Sequence, residues 1–260
     1  AHLDDISQIR NWQVAGSYRR GKETVGDLDV LVQADGRARA GEQILAAGVV
    51  EAVESRGEER ITVHLRGGPR VDLRFFAPEA FGAALLYFTG SKDHNIALRR
   101  VAQDRGWKLS EYGLFDGERR LAGADEADVY ARLGLRWIPP ELREARGEID
   151  AARHDRLPRL LEPDDIRGDL QMHTTASDGR QSIAAMARAA RDLGREYIAI
   201  TDHSQRVRVA GGLDDDACLA HADAIREVDA EIEGIRLLAG IEVDILRDGT
   251  LDLAHDTLRA

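Results

Sequence analysis

The chain has 260 residues, 43% hydrophobic and 32% charged, which predicts one or two globular domains with packed cores. No apolar run approaches the roughly 20 residues of a membrane span, and AHLDDISQIR lacks a secretion signal. The single cysteine, Cys218, excludes an internal disulfide and predicts a cytoplasmic protein, while the net charge of −11 argues weakly against a dedicated nucleic-acid binder.

The first 80 residues alternate strand patterns with one helical pattern. NWQVAGSYRR predicts a strand that enters a Gly-Ser turn, DLDVLVQ predicts the next strand, and ARAGEQILAAG predicts a helix. VVEAVESRG, RITVHLRGG and RVDLRFFAP alternate apolar and polar residues between Gly and Pro, which predicts three further strands. We therefore expect a mixed, mostly antiparallel sheet with helices on one face.

The patterns change twice after this region. Residues 79–135 predict a mixed region with two helices separated at Thr89-Gly90-Ser91, and residues 136–167, rich in proline and charge, predict a connector. From residue 168, strands and helices alternate, which is typical of parallel βα units. The predicted domains are 1–80, 81–135, a linker at 136–167, and 168–260.

The segment GDLDVLV places two carboxylates on one side of a strand. Side chains alternate across a strand, so Asp27 and Asp29 lie side by side, within about 7 Å. Their repulsion requires a nearby arginine or a divalent cation. If the strand at 70–76 pairs beside 27–32, Asp72 joins them, and three carboxylates can hold two Mg²⁺ ions for phosphoryl transfer. A single D-x-D motif is more often solvated surface.

A Gly-Ser turn precedes these aspartates. The backbone N–H groups of Gly16 and Ser17 can cradle phosphate oxygens, and Arg20 can add a charge-assisted contact. A Gly-Ser pair followed about ten residues later by GDLD, with a third aspartate on a later strand, resembles the nucleotidyltransferase superfamily.

GSYRRGKETVGDLDVLV, VDLRF and YFTGSKDHNIALR together resemble the palm and thumb of a family X DNA polymerase. LGLRWIPPELREARGEI and LEPDDIRGDLQMHTTASDG resemble the connector and start of a polymerase-and-histidinol-phosphatase (PHP) domain. This resemblance implies an α+β nucleotidyltransferase palm at 1–80, a helical and mixed thumb at 81–135, and a partial α/β PHP domain of the distorted β/α-barrel type at 168–260. It also implies that the chain is truncated at both ends.

The resemblance implies a DNA-directed DNA polymerase that fills short gaps in DNA repair. Its partners are primer-template or gapped DNA and dNTPs, with no membrane, and we expect a monomer. Asp27, Asp29 and Asp72 are implied to be catalytic and to bind Mg²⁺ or Mn²⁺. The implied nucleotide-binding residues are Gly16, Ser17, Arg20 and Gly26 at the triphosphate, Tyr87, Phe88 and Gly90 at the sugar, Asn95 and Arg99 at the base pair, and Ser91. Composition alone favours ordinary helix core for the two aromatic residues.

Ligand-type residues also follow the strands predicted after residue 168. By resemblance to PHP domains, they imply a site for Zn²⁺ or Mn²⁺ formed by His173, Asp178, His203 and Glu242. The usual His-x-His reads Gln171-Met172-His173 here, and an amide oxygen is a weaker ligand for these metals. We therefore expect weakened or absent 3′–5′ exonuclease or phosphoesterase activity. No partners are recognised for His64, His154, His221 and His255.

Two other function classes stay open at this stage. The chain could be a metal-dependent phosphoesterase that works through its PHP half, although Gln171 counts against this. It could also be a non-catalytic DNA-binding or scaffold protein, although all three palm aspartates are present. A template-independent nucleotidyltransferase is a variant of the polymerase hypothesis, and a single-stranded primer separates the two.

Overall fold

The computed structural model describes residues 2–260 and divides them into two compact units, one ending at Pro158 and the other beginning at Arg159. Within this described part, none of the helices combines the length and the hydrophobicity that a membrane span requires.

The first unit contains a five-stranded sheet. Its strands are β1 (Ile9–Val14), β2 (Asp27–Ala34), β3 (Val50–Arg56), β4 (Arg60–Leu65) and β5 (Arg70–Phe75). They lie in the order β1-β2-β5-β4-β3, and all neighbours are antiparallel except β2 and β5, which are parallel. The mixed, mostly antiparallel sheet predicted from the sequence is therefore confirmed.

One face of this sheet forms a hydrophobic core. Helices α1 (Gly16–Arg19) and α2 (Arg37–Leu45) follow β1 and β2 in the chain. Ala40 and Ile44 of α2 pack with alternate strand residues, among them Val30, Val32 and Leu73. Because alternate residues of β2 and β5 face this core, the intervening aspartates lie on the other face.

The rest of the first unit is the mixed region predicted after residue 79. Its elements are α3 (Phe81–Thr89), α4 (Lys92–Gln103), β6 (Lys108–Ser110), β7 (Gly113–Asp116), β8 (Arg119–Ala122), α5 (Glu126–Arg132) and α6 (Glu148–Arg153). Helix α3 is buried along most of its length, as its nearly uniform apolar sequence requires. The predicted break between two helices at 89–91 is confirmed.

Residues 136–158 differ from the connector predicted for 136–167. Ile138 and Ala152 belong to the same buried cluster as Leu98 and Val129, and Arg143 is fully buried. Apolar residues between the prolines anchor this stretch, and its buried arginine has an internal carboxylate partner, Glu126. The boundary between the units therefore lies at 158–159, later than the start of the predicted linker.

The second unit alternates strands and helices as predicted. Its strands are β9 (Gly168–Met172), β10 (Tyr197–Ile200) and β11 (Arg236–Ala239), and its helices are α7 (Ile183–Asp192) and α8 (Asp215–Glu231). The strands form a parallel sheet in the order β11-β10-β9. Their carboxyl ends lie at one edge, where ligands bind in parallel α/β sheets.

Candidate active sites

The register of the β2–β5 pair brings the predicted aspartates together. Asp29 lies opposite Asp72, and Asp27 lies opposite Arg70. Paired residues of neighbouring strands share a face of the sheet. The strand pairing on which the third carboxylate depended is present, and three carboxylates occur on one surface.

Arginines offset part of this negative charge. Arg70 Nη1 lies 3.6 Å from Asp27 Oδ2 and 3.1 Å from Asp72 Oδ2. Arg74 Nε lies 3.8 Å from Asp29 Oδ1. The sequence left open whether an arginine or a divalent cation offsets this negative charge. Arginine side chains do so in part.

Asp72 is the most enclosed of the three carboxylates, with 4% of its surface exposed. Arg60 Nη2 of β4 donates to both of its oxygens at 2.9 and 2.8 Å, and Thr62 Oγ1 donates at 2.7 Å. Burial opposes ionisation, but the hydrogen bonds from Thr62 and Arg60 outweigh it and lower the pKa of Asp72. Asp72 is therefore an anion at neutral pH, the form that can bind a cation or accept a proton.

The pKa of Asp29 shifts in the opposite direction. Burial, followed by the nearby charges of Asp27 and Asp72, raises its pKa, although Arg74 opposes this shift. A bound cation would remove this penalty, and carboxylate oxygens are the ligands that Mg²⁺ and Mn²⁺ prefer. The donor set therefore fits the implied ions. In the described chain, ligand atoms from the three aspartates do not all lie within 4.8 Å of one another.

The Gly-Ser turn lies directly against Asp29. Gly16 has a φ of +65°, and a Cβ on it would lie 2.9 Å from Asp29 Oδ2. The backbone N–H of Ala15 donates to the Asp29 carbonyl at 2.7 Å. Glycine is needed at position 16 both for its backbone conformation and for this close approach. Ser17 follows within the same turn, and Gly26 immediately precedes β2.

Arg20 reaches from this turn to the end of α3. Its Nη1 donates to the Thr89 carbonyl at 2.5 Å, and its Nε donates to Glu144 Oε1 at 2.8 Å. Gly90 lies beside the guanidinium with a φ of +74°. Ser91, which the sequence predicted to contact the nucleotide, caps the N-terminus of α4. Its side chain accepts a hydrogen bond from the backbone N–H of His94.

The remaining predicted nucleotide contacts lie on α3 and α4. Asn95 Nδ2 donates to the Tyr87 carbonyl at 2.6 Å, and Arg99 Nε donates to the Asn95 carbonyl at 3.3 Å. The Arg74 guanidinium lies 4.5 Å from the centre of the Phe88 ring. Arg74 also lies beside Asp29, so its side chain contacts both Phe88 of α3 and the carboxylate group.

The four predicted PHP ligands converge in the second unit. His173 Nδ1 lies 2.9 Å from Asp178 Oδ1, and His173 Nε2 lies 3.0 Å from Glu242 Oε2. His203 Nε2 lies 3.5 Å from Asp178 Oδ2. One ligand atom each from His173, Asp178 and His203 lies within 4.8 Å of the others. Buried His203 Nδ1 has no hydrogen-bond partner in the described chain, so this cluster fits a metal bound through imidazole and carboxylate.

The side-chain amide of Gln171 contacts two residues of this cluster. Its Nε2 donates to Glu242 Oε2 at 2.5 Å and lies 3.3 Å from His173 Nε2. An amide N–H that faces the cluster cannot coordinate a cation and occupies a lone pair of Glu242. The structure therefore places Gln171 where it competes for an implied metal ligand.

Beside this cluster lies a buried pair, Asp202 and His221, which the sequence did not connect. Asp202 is fully buried and accepts hydrogen bonds from Thr174 N, Ser177 Oγ and His221 Nε2 at 2.7, 2.5 and 2.8 Å. Burial opposes ionisation of Asp202, but these bonds, led by that from His221, hold its pKa well below its usual range. Asp202 thus fixes the loop that leads to Asp178.

The expectation that the unassigned histidines lack partners is wrong for three of them. His221 pairs with Asp202, His64 Nε2 lies 3.1 Å from Glu54, and His154 Nδ1 lies 3.2 Å from Asp150. His221 lies on helix α8, 19 residues from Asp202, so no local sequence pattern marks this pair.

Asp202→Ala should increase amide hydrogen exchange in the loop 174–178 by about tenfold or more. The buried Thr174 N–H would lose its acceptor, and each such loss costs about 1–3 kcal/mol. Because the folded-state pKa of Asp202 is lowered, its stabilisation is present above its unfolded pKa of about 4 and is lost as the pH falls below it. Asp192→Ala, on the exposed side of α7, is the control, and equal exchange in both variants would contradict this role.

Family models match three parts of the chain. The DNA polymerase beta palm matches residues 1–74, the DNA polymerase beta thumb matches 84–144, and the PHP domain matches 169–260.

Three named relatives are similar to this chain. The chain is 42% identical, over 99% of its length, to the DNA polymerase/3′-5′ exonuclease PolX of Bacillus subtilis, of which the match covers 45%. It is 31% identical to DNA polymerase lambda of Rattus norvegicus over 50% of this chain and 28% of that protein. It is 42% identical to human DNA-directed DNA/RNA polymerase mu over 29% of this chain and 16% of that protein. The chain thus spans less than half the length of these relatives.

Proposed function

Because this chain belongs to the family X DNA polymerases that carry a PHP domain, we propose that its first unit is a DNA-directed DNA polymerase. It adds dNTPs to a primer 3′-hydroxyl, and its DNA substrate is a primer-template or a short gap in DNA repair. The observation that carries this proposal is the β2–β5 register, which sets Asp29 opposite Asp72 and beside the Gly16 turn. The polymerase relatives of Bacillus subtilis and Rattus norvegicus support the same activity.

Each predicted residue has a part in this proposal. Asp27, Asp29 and Asp72 would hold the divalent cations, and Mg²⁺ or Mn²⁺ would supply charge neutralisation of the triphosphate and activation of the attacking hydroxyl. Ionised Asp72 accepts the proton of the primer 3′-hydroxyl. The other assigned residues bind the nucleotide: Gly16, Ser17, Arg20 and Gly26 meet the triphosphate, Tyr87, Phe88 and Gly90 flank the sugar, Asn95 and Arg99 face the base pair, and Ser91 completes the set.

The domain limits and cellular context complete the proposal. We assign the palm to residues 1–80 and the PHP domain to 168–260. We extend the thumb from 81 to 158, because residues 136–158 pack into the first unit. The protein works as a cytoplasmic monomer, which is consistent with its single cysteine.

The test is single-nucleotide incorporation on a one-nucleotide-gapped duplex, first with Mg²⁺ and then with Mn²⁺. Each dNTP is offered against each template base, and a single-stranded primer is included. We expect incorporation of the matched nucleotide only. Equal incorporation of all four on a single strand would indicate a template-independent transferase, and no incorporation by the folded protein would reject the polymerase.

The cluster in the second unit supports a second candidate function, a metal-dependent PHP phosphoesterase or 3′–5′ exonuclease. The convergence of His173, Asp178, His203 and Glu242 favours it, and Zn²⁺ or Mn²⁺ would supply Lewis-acid activation of a phosphodiester there. The Gln171 amide counts against full activity.

Gln171→His should raise both the metal content and the nuclease rate of the purified protein. Imidazole replaces an amide that donates to Glu242, so one more nitrogen ligand faces the cluster and the carboxylate is freed. Metal content is measured by elemental mass spectrometry, and nuclease rate on a 3′-labelled strand. Gln181→His, at an exposed position outside the cluster, is the control. If the two variants bind equal amounts of metal, position 171 does not limit the site.

A further inference from the structure

The guanidinium of Arg20 is held by two acceptors from outside its own turn. Nε donates to Glu144 Oε1 and Nη1 donates to the Thr89 carbonyl, at 2.8 and 2.5 Å. The side chains of Arg20 and Glu144 are 14% and 21% exposed, so the contact is largely shielded from water. A long side chain that is otherwise free to sample many rotamers is fixed here in one position.

The same contacts leave one end of the guanidinium available. In the described part of the chain, no residue accepts a hydrogen bond from Arg20 Nη2. Position 90 carries no side chain to cover the group, and a Cβ there would lie 3.2 Å from Nη1. The Arg20 backbone N–H donates to the Gly16 carbonyl at 3.3 Å, which ties Arg20 to the turn beside Asp29.

The charges around Glu144 favour an anion at this place. Lys22 Nζ lies 3.6 Å from the same Glu144 oxygen that Arg20 contacts. Burial opposes ionisation of Glu144, but Arg20 and Lys22 outweigh it and lower the pKa of Glu144. Two cations therefore face one carboxylate, and one positive charge remains to attract a phosphate group.

We propose that Glu144 is a positioning residue for the incoming triphosphate. It holds Arg20 so that Nη2 meets a phosphate oxygen without first losing side-chain freedom. This inference rests on the proposed function, since Arg20 is a triphosphate contact only if the first unit binds dNTPs. Ordering one long side chain on binding costs about 0.5–1.5 kcal/mol, which corresponds to roughly a two- to tenfold change in affinity.

Glu144 could instead compete with the triphosphate for Arg20, and the geometry argues against this. The carboxylate uses Nε and the Thr89 carbonyl uses Nη1, so a phosphate oxygen can bind Nη2 while both contacts persist. The two roles predict opposite changes in dNTP affinity when Glu144 is removed.

The experiment compares the KM for dNTP and kcat of gap filling in the wild-type chain and in Glu144→Ala, Glu144→Gln and Glu144→Asp. We expect Glu144→Ala to raise KM about fivefold with kcat within about twofold. Glu144→Gln keeps an acceptor oxygen and should stay within about twofold of wild type. Glu144→Asp has a shorter side chain that keeps its charge, so its KM should lie between those of the alanine and glutamine variants. It replaces the alanine variant in the test if that variant does not fold. Glu141→Ala removes an exposed carboxylate three residues away and should change nothing.

Two further measurements separate this inference from the polymerase itself. In an Arg20→Ala background, Glu144→Ala should have no additional effect on KM. Calorimetric titration with inorganic tripolyphosphate should show the same weakening by Glu144→Ala, even if the wild-type chain incorporates no dNTP and the polymerase proposal fails. A lower KM in both Glu144→Ala and Glu144→Gln would overturn the positioning role in favour of competition. A fall in kcat or melting temperature at unchanged KM and unchanged tripolyphosphate affinity would reduce Glu144 to a structural residue.

Discussion

Asp29→Asn is expected to lower the rate of templated incorporation by about a thousandfold or more. Asp29 lies opposite Asp72 and touches the Gly16 turn, so it joins the cation-binding face to the triphosphate-binding backbone. Asparagine keeps the shape of the side chain and removes its charge. Bound cations supply several kcal/mol of charge stabilisation in such reactions, and about 4 kcal/mol is a factor of a thousand in rate.

The fold and the affinity for DNA should survive this substitution. The hydrogen bond from Ala15 N reaches the backbone carbonyl of Asp29, which the change does not touch. Asp35→Asn is the matched control, since Asp35 follows the end of the same strand with its side chain 68% exposed and pairs with Arg10. Gap filling is measured in single turnover and DNA binding by fluorescence anisotropy. An Asp29→Asn protein that keeps a tenth of the wild-type rate would remove this residue from the catalytic set.

Glu126→Gln should destabilise the first unit by about 3 kcal/mol at neutral pH. Glu126 accepts from Arg19 Nη1, Arg143 Nη1 and Trp137 Nε1 at 2.9, 2.6 and 2.8 Å. Burial opposes its ionisation, but hydrogen bonds from Arg143 and Arg19 lower its pKa to about 2. That shift, from a value near 4.5, corresponds to about 3 kcal/mol. Glutamine would leave Arg143, which is fully buried, without a counter-ion.

The stabilisation that Glu126 provides should depend on pH. Because the folded-state pKa of Glu126 lies below the unfolded value, its contribution is complete above about pH 4.5 and is lost as the pH falls toward about 2. The gap between wild type and Glu126→Gln in urea unfolding should therefore shrink across that range. Asp128→Asn, on the exposed face of the same helix, should leave stability nearly unchanged. A gap that stays constant down to pH 3 would show that the Glu126 charge is not its source.

Local sequence patterns were enough to predict the order of elements and most residues of the candidate site. Period-two alternation predicted β2 and β5, the Gly-Ser pair predicted the turn at Gly16, and GDLD marked Asp27 and Asp29. These signals are local, because strand alternation and turn chemistry depend on residues a few positions apart. The family resemblance then joined segments that the pattern alone could not pair.

The contacts between groups far apart in the sequence became visible in the folded chain alone. The partners of Asp72 on β4 follow from strand register, and Glu126 meets Arg19 across 107 residues of sequence. Residues 136–158 look like a linker in composition, yet their apolar side chains complete the core of the first unit. Such contacts are set by register and packing, which bring together groups of opposite charge that no local pattern connects.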